Sequence, residues 1–189
     1  MHPELIEIGG ITLYAYGFFI MIGALTSYMY GIKVFKKELG IEPDKVQTLT
    51  ILIISAAVVG GKVFFYFEDP AYYFSNPENL LKNFRQGFVF YGSLIFVIPT
   101  VIWYFRKEKW PIFPMLDILS IIATIIHGFG RLGCFCAGCC HGLPTDSFLG
   151  VTFTDAKSQA KPLDTPLHPT QLYEVFFIGS LMLFLVQLK

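Results

Sequence analysis

A chain of 189 residues is long enough for one domain, and 54% of it is hydrophobic while only 15% is charged, against roughly a quarter charged in ordinary soluble domains. Fourteen Lys and Arg balance fourteen Asp and Glu, so the formal net charge is zero and no basic surplus is available to hold a polyanion. These balances argue against a soluble globule and against nucleic-acid binding, and they exclude disorder and collagen-like structure; an aromatic content of 17% suits rings seated at the headgroup level of a bilayer.

The amino-terminal stretch Met1 to Gly10 carries Glu4 and Glu7 but no Lys or Arg. It lacks the basic n-region of a cleavable signal peptide, so the first apolar segment is expected to stay in the mature protein. Near-continuous apolar runs then follow at Ile11 to Tyr30, Val46 to Phe67, Phe88 to Phe105, Met115 to Ile126 and Gln171 to Leu188. A helix needs about 20 mostly apolar residues to cross the hydrocarbon core, so the fourth run is marginal unless it continues to Leu132. None alternates with the two-residue period of a barrel strand. The expected fold is an all-α integral membrane protein, a polytopic bundle of about five transmembrane helices in a single domain with a long outer loop.

The connecting segments sort by their basic residues, because short cytoplasmic loops are enriched in Lys and Arg. Lys33, Lys36, Lys37 and Lys45 follow the first run, and Arg106, Lys107 and Lys109 follow the third, which places both loops inside. The amino terminus, the segment Glu68 to Gly87 and the region from Gly128 to Thr170 are then outside. In the second of these, Tyr72, Tyr73, Phe74, Leu80, Leu81 and Phe84 mix with polar residues, the pattern of a short amphipathic stretch on the membrane surface. The region up to Thr170 is the one most rich in polar residues, and it is where function is expected.

Ionisable residues at membrane depth are costly and raise a functional question. Four stand out: Lys62 in VVGGKVFF, Asp117 in PMLDILS, Arg131 in HGFGRLG and Glu174 in HPTQLYEVFF. Snorkelling or a position near a helix end would account for Lys62, Asp117 and Glu174. Arg131 differs because Gly128, Gly130, Gly133, Gly138 and Gly142 surround it. Glycines let backbone N–H groups approach a ligand while the guanidinium offers a planar fork, a combination that fits a phosphate. Glycines that let membrane helices pack closely are the competing explanation. His168, before Pro169, stands where the last span begins, with Gln171 and Glu174 expected to face the same side as Arg131. His127 is four residues before Arg131, at the spacing of one helical face.

All four cysteines fall in the run Cys134-Phe-Cys136-Ala-Gly-Cys139-Cys140-His141. Three readings stay open: a disulfide or redox-active thiols, with Cys136 and Cys139 at a spacing for a local bridge; a metal site from Cys136, Cys139, Cys140 and His141, although a second ligand pair is missing; or small thiols that pack between helices. Ser93 lacks the nucleophile-elbow pattern, and neither a phosphate loop nor a dinucleotide fingerprint is present.

With these residues in view, the chain resembles the prolipoprotein diacylglyceryl transferases, bacterial integral membrane enzymes, from about Gly9 onward. Of the family's GR-x-G-N-F-x-N-x-E-x-x-G signature, Gly130, Arg131, Gly133, Phe135 and Gly142 match in register. Tyr16 in YAYGFF is similar to the tyrosine of the family's first helix, HPTQLYE from His168 to Glu174 to its HP-S/T-QLYE motif, and Asp117 falls where the family has an aspartate. Cys134, Ala137 and Cys139 stand at the signature's two Asn and its Glu, and Tyr91, before Gly92, stands at the family's histidine. The family's pattern continues through further spans, so its carboxyl-terminal helices are expected to be missing.

The resemblance implies transfer of the diacylglyceryl group of phosphatidylglycerol to the lipobox cysteine of a prolipoprotein, in the bacterial inner membrane with the amino terminus outside. It implies Arg131, Tyr16, Tyr91, His168 and Glu174 as catalytic residues, and Arg131, Gly130, Gly133, Gly142, Asp117 and Gly92 as substrate-binding residues, with no cofactor. A phenol of ordinary pKa near 10 is a poor base for the attacking thiol, and His127, His141 and Glu174 are the alternatives. A membrane thiol-redox or metal-binding protein built on Cys134 to His141, and an inactive phospholipid-binding relative, are the competing functional readings.

Overall fold

The computed structural model describes residues 3–8, 10–75, 78–82 and 87–188. Among these residues, seven helices and two short antiparallel strand pairs follow in the order β1 (Glu4–Ile8), β2 (Ile11–Tyr14), α1 (Ala15–Leu39), α2 (Pro43–Glu68), α3 (Pro70–Ser75), α4 (Glu78–Lys82), α5 (Phe90–Glu108), α6 (Ile112–Ala137), β3 (Val151–Thr152), β4 (Pro166–Leu167) and α7 (Thr170–Leu188). Among the described residues, α1, α2, α6 and α7 are long and apolar enough to cross a membrane. The chain is an all-α polytopic membrane protein. All five expected spans are helices. α5 has 19 residues and includes Pro99, Arg106 and Lys107, which leave it less apolar than the other four.

Two expected boundaries move. Ile11–Tyr14 is strand, paired antiparallel with Glu4–Ile8, and the first helix begins only at Ala15; β-branched Ile11 and Thr12 favour extended backbone once a partner strand is at hand. The marginal fourth run extends to 26 residues, about 39 Å at 1.5 Å per residue, more than a hydrocarbon core of about 30 Å requires. Gly128 to Ala137, expected in the outer loop, is therefore its last turns. The segment after α2, expected on the outer face, contains α3 and α4, with Tyr73 buried; Phe84 and Arg85 lie outside the described residues.

The chain divides into two compact units, residues 1–34 with 117–189, and residues 35–116. In the second, α2 and α5 pack closely at a pair of glycines. A Cβ on Gly92 would lie 2.6 Å from the carbonyl oxygen of Gly60, and one on Gly60 would lie 2.8 Å from Phe96 Cβ. Ser93 Oγ donates to Ala57 O at 2.8 Å. This is the small-residue packing used where lipid removes any hydrophobic drive between helices. Lys62 Nζ donates to Gly87 O at 2.9 Å and lies over the Phe65 ring. At the other end Lys45 pairs with Glu108, so the start of α2 meets the end of α5. The two lysine-rich loops of the sequence thus share one side.

In the first unit, successive contacts make α1 and α6 antiparallel: a Cβ on Gly133 would be 3.1 Å from Tyr16 Cδ2, one on Gly23 would be 2.7 Å from Phe129 Cβ, and Ser27 Oγ donates to Ile122 O at 3.4 Å. α7 runs back along α6, where a Cβ on Gly128 would touch Ile178 at 3.8 Å. The region from Gly138 to Pro169 folds around Phe153, Ala160 and Leu167, all about 1% exposed or less, with Phe135 of α6 packed against them. Lys157 of this region pairs with Glu4, so the amino-terminal hairpin and the long connection lie together.

The Gly60 contact has a direct consequence. Gly60→Leu must displace either the Gly92 backbone or Phe96, and overpacking of this kind costs about 1–3 kcal/mol. The thermal unfolding midpoint in detergent is expected to fall for Gly60→Leu and to hold for Gly179→Ala, which meets nothing within 4 Å.

Candidate functional site

The end of the first unit where α6 stops and α7 begins gathers most of the residues singled out in the sequence. Arg131, one and a half turns before the end of α6, has its Nε 2.7 Å from Glu174 Oε2 in the second turn of α7. Nε is buried without a hydrogen-bond partner, so the two groups are close enough to pair although the N–H is not aligned on the carboxylate. Opposite charges on facing helices offset part of the cost of holding either at membrane depth. Tyr16, 46% exposed, stands at the start of α1 against Gly133.

The HPTQLYE segment has two tasks in this arrangement. Glu174 faces Arg131, while the residues before it hold the turn that follows α6. Gly142 N–H donates to His168 O at 2.8 Å, Thr170 Oγ1 donates to Cys140 O at 2.7 Å and Gln171 Nε2 donates to Cys139 O at 2.5 Å. Gln171 is fully buried. A Cβ at Gly142 would stand 2.9 Å from both His168 Cβ and Thr170 Cγ2, so only glycine lets the two strands of chain come this close. His168 Nδ1 lies 3.0 Å from Tyr173 Oη.

The backbone N–H groups of Gly130 and Gly133 are inside α6, where helical hydrogen bonds occupy them, so they are not turned toward a ligand. At Gly133 the missing side chain serves contact with α1; the packing explanation of the glycines holds there. Asp117 is exposed near the start of α6, fourteen residues and so about 21 Å along the helix from Arg131. It borders a cavity of about 180 Å³ with Ser120 and Leu185 and does not join the cluster around Arg131. Tyr91, 75% exposed, and buried Gly92 belong to the other unit, where Gly92 packs against Gly60. His127 is exposed.

The cysteine run also separates. Cys134, Cys139 and Cys140 have their sulfurs all within 4.8 Å of one another, and all four cysteines are free thiols. The cluster includes Cys134, which the set Cys136, Cys139, Cys140 and His141 omitted. Two residues on along a helix is 200° around it, so Cys136 points away from Cys134. The left-handed turn at Gly138 (φ +78°) then reverses the chain and returns Cys139 and Cys140. His141 is engaged elsewhere: Nδ1 lies 2.8 Å from Gly142 O and Nε2 accepts the Lys161 N–H at 3.3 Å. Burial, and then the neighbouring Cys134 and Cys140 thiols, push the Cys139 thiol up to about 12.

Beside Arg131 and Glu174, an apolar cavity of about 390 Å³ runs between α1, α6 and α7, lined by Thr26, Ile125, Phe129, Leu132, Ile178 and Met182 among others. Gly128 and Ile178, also in its wall, stand one turn from Arg131 and Glu174 on their helices. This cavity was not foreseen in the sequence; a small-residue face at Gly128 opposite a continuous apolar helix was the only trace of it.

The chain matches the family model described as prolipoprotein diacylglyceryl transferase over residues 3–189. It is 38% identical over 186 residues to the phosphatidylglycerol–prolipoprotein diacylglyceryl transferase of Clostridium tetani, covering 98% of this chain and 73% of that protein. It is 33% identical to a second such protein from Clostridium perfringens, covering 98% and 72%, and 30% identical to one from Rickettsia canadensis, covering 96% and 69%. The chain belongs to the prolipoprotein diacylglyceryl transferase family.

The thiol environments differ enough to be read separately. In reduced, chelator-treated protein, exposed Cys140 should be alkylated well before Cys139 at pH 8. Because the Cys139 thiolate is scarce below a pKa of about 12, its labelling rate should climb about tenfold per pH unit between pH 8 and 10. Peptide mapping reads both rates, and a Cys139 rate that levels off near pH 9 would contradict the burial argument.

Proposed function

We propose that this chain transfers the diacylglyceryl group of phosphatidylglycerol to the sulfur of a lipobox cysteine in a prolipoprotein. The observation that carries the reading is the Arg131–Glu174 pair at the end of an apolar cavity of about 390 Å³, within the roughly 300–1,000 Å³ of small-ligand sites. Family membership supports the same reaction. An anionic headgroup with an acyl tail is a molecule that needs a cation at one end and an apolar slot at the other.

In the reaction the acceptor sulfur forms a bond to the glycerol carbon that carries the phosphate. The carbon–oxygen bond breaks, and glycerol phosphate leaves with the electron pair. Negative charge therefore grows on the phosphate oxygens. Arg131 stabilises it as a planar donor fork, and Glu174 holds the guanidinium in place while leaving its outer N–H groups for the phosphate. Tyr16 and His168 border the same end and position the headgroup and the acceptor peptide. Tyr91 and Gly92 keep the catalytic and substrate-binding roles that the family resemblance implies for their positions.

The membrane is the bacterial inner membrane, with the amino terminus, the hairpin and the region Gly138 to Pro169 outside. The support is the distribution of basic residues: four lysines from Lys33 to Lys45 and three cations from Arg106 to Lys109 fall in the two loops that the Lys45–Glu108 pair brings together, as expected of the cytoplasmic face. Phosphatidylglycerol and the prolipoprotein are the substrates.

Arg131→Ala should lower transfer from phosphatidylglycerol to a lipobox peptide by at least about 10²-fold, the usual cost of removing a donor to developing charge. Arg131→Lys should recover only part, because it keeps the charge and loses the fork. The assay is lipid transfer in detergent with membrane insertion checked in parallel. Full activity in Arg131→Ala would remove the phosphate clamp, and no transfer by the unaltered chain would overturn the proposed activity.

A further inference from the structure

The three sulfurs at the end of α6 have no task in the reaction as drawn so far. We propose that Cys134, Cys139 and Cys140 bind one thiophilic divalent cation of the zinc class and leave the fourth tetrahedral position to the acceptor thiol. This rests on the proposed transfer to a sulfur acceptor.

Distance supports an ion first. Three thiolates at about 2.3 Å from a tetrahedral zinc stand about 3.8 Å apart. The sulfurs here lie within 4.8 Å of one another, so side-chain rotations of about an ångström close the site. A disulfide fits less well. Cys139 and Cys140 are adjacent, with Cα atoms about 3.8 Å apart, below the usual 4.4–6.8 Å of bridged pairs. The Cys139 thiol is instead directed at Cys134 O, 3.7 Å away.

The surroundings are those of a site held from outside. The carbonyls of Cys139 and Cys140 are each fixed by a side chain of α7, Gln171 and Thr170, as ligands fixed through neighbouring groups are in metal sites. Arg131 is one turn before Cys134 on the same helix, so its positive charge offsets the surplus of three thiolates over a divalent ion. Three protein ligands plus an open position is the arrangement of reactive rather than closed zinc sites. Cys140 is exposed, which leaves that position accessible.

A second observation is an unpaired buried acceptor beside the clamp. Gln171 Oε1 is buried without a hydrogen-bond donor, on the same carboxamide whose nitrogen holds Cys139. The chemistry needed is deprotonation, and a thiol bound to such an ion is deprotonated outright. The acceptor thiol would give its proton to water, bind as thiolate, and attack the glycerol carbon as described above. The ion is neither oxidised nor reduced. Such a site answers the want of a base where Tyr91 replaces the family's histidine.

The test uses the full chain in detergent, reduced and stripped with chelator, with Co²⁺ as the probe. One equivalent per chain is expected, with intense thiolate-to-cobalt absorption and the visible bands of a tetrahedral site, all displaced by Zn²⁺. Cys139→Ala and Cys140→Ser should lose them and Cys136→Ser should keep them. A lipobox peptide should shift the visible bands and its Cys→Ser analogue should not. Chelation should lower lipid transfer at least tenfold, and Zn²⁺ should restore it. Absent or substoichiometric binding, binding that survives Cys140→Ser, or a Cys134–Cys139 disulfide in protein isolated without reductant would overturn the site. Unchanged bands with peptide would overturn the fourth-position assignment. Transfer undiminished by complete chelation would remove the ion from the reaction while leaving the proposed transferase activity standing, and a cobalt-binding chain with no transfer would do the reverse.

Discussion

A guanidinium in a membrane-spanning helix must find an anion, and that requirement organises the first unit. Arg131 lies in α6 and its partner Glu174 in α7, so their meeting sets the register of one helix against the other. One turn further in, Gly128 then faces Ile178, and the glycine's missing side chain opens room that becomes the apolar cavity. Neither helix could slide by a turn without separating the charges in a medium where separation is expensive. The paired charges and the apolar cavity beside them are consequences of one alignment.

The same alignment brings the start of α7 onto the turn after α6. His168, Thr170 and Gln171 hold the backbone at Gly142, Cys140 and Cys139. The HPTQLYE run is therefore a clamp as well as a source of one carboxylate. Between its two ends, the connection from Gly138 to Pro169 must leave and return to one place. It does so by folding around Phe153, Ala160 and Leu167, with Phe135 and Phe153 in edge contact at 6.1 Å. A connection with its own core holds the rim of the site more rigidly than an unstructured loop would.

The helices, their approximate number and the pairing of Arg131 with the Glu174 side of α7 were legible in the sequence, because apolar runs and costly charges are strong local signals. The extent of α6 was not. Gly128, Gly130 and Gly133 resemble loop residues by propensity, yet in a membrane they are contact points for α1 and α7, and tertiary packing overrides propensity. Ile11 to Tyr14 was lost for the opposite reason: a short apolar run next to a span is indistinguishable from it until the pairing with Glu4–Ile8 is known. The cysteine spacing also misled, since the three clustered sulfurs depend on where the helix stops and on the turn at Gly138, which spacing alone does not encode. Asp117 matched the resemblance in sequence but sits about 21 Å along α6 from Arg131.

The departures from the family signature acquire a physical sense at this point. Cys134, Ala137 and Cys139 occupy the positions of two amides and a carboxylate. The exchange removes from this end of α6 a fixed negative charge and several hydrogen-bonding atoms, and substitutes sulfur, which is neutral when protonated and holds soft cations when ionised. Without a carboxylate at position 139, Glu174 is the one acidic side chain paired with Arg131 among the described residues. The thiols then do one of two things: as neutral groups they only pack, and as ligands they gather a cation beside the place where a thiol acceptor must lose its proton. Their mutual distances and the clamp on the Cys139 and Cys140 carbonyls are what the proposed cation site would need.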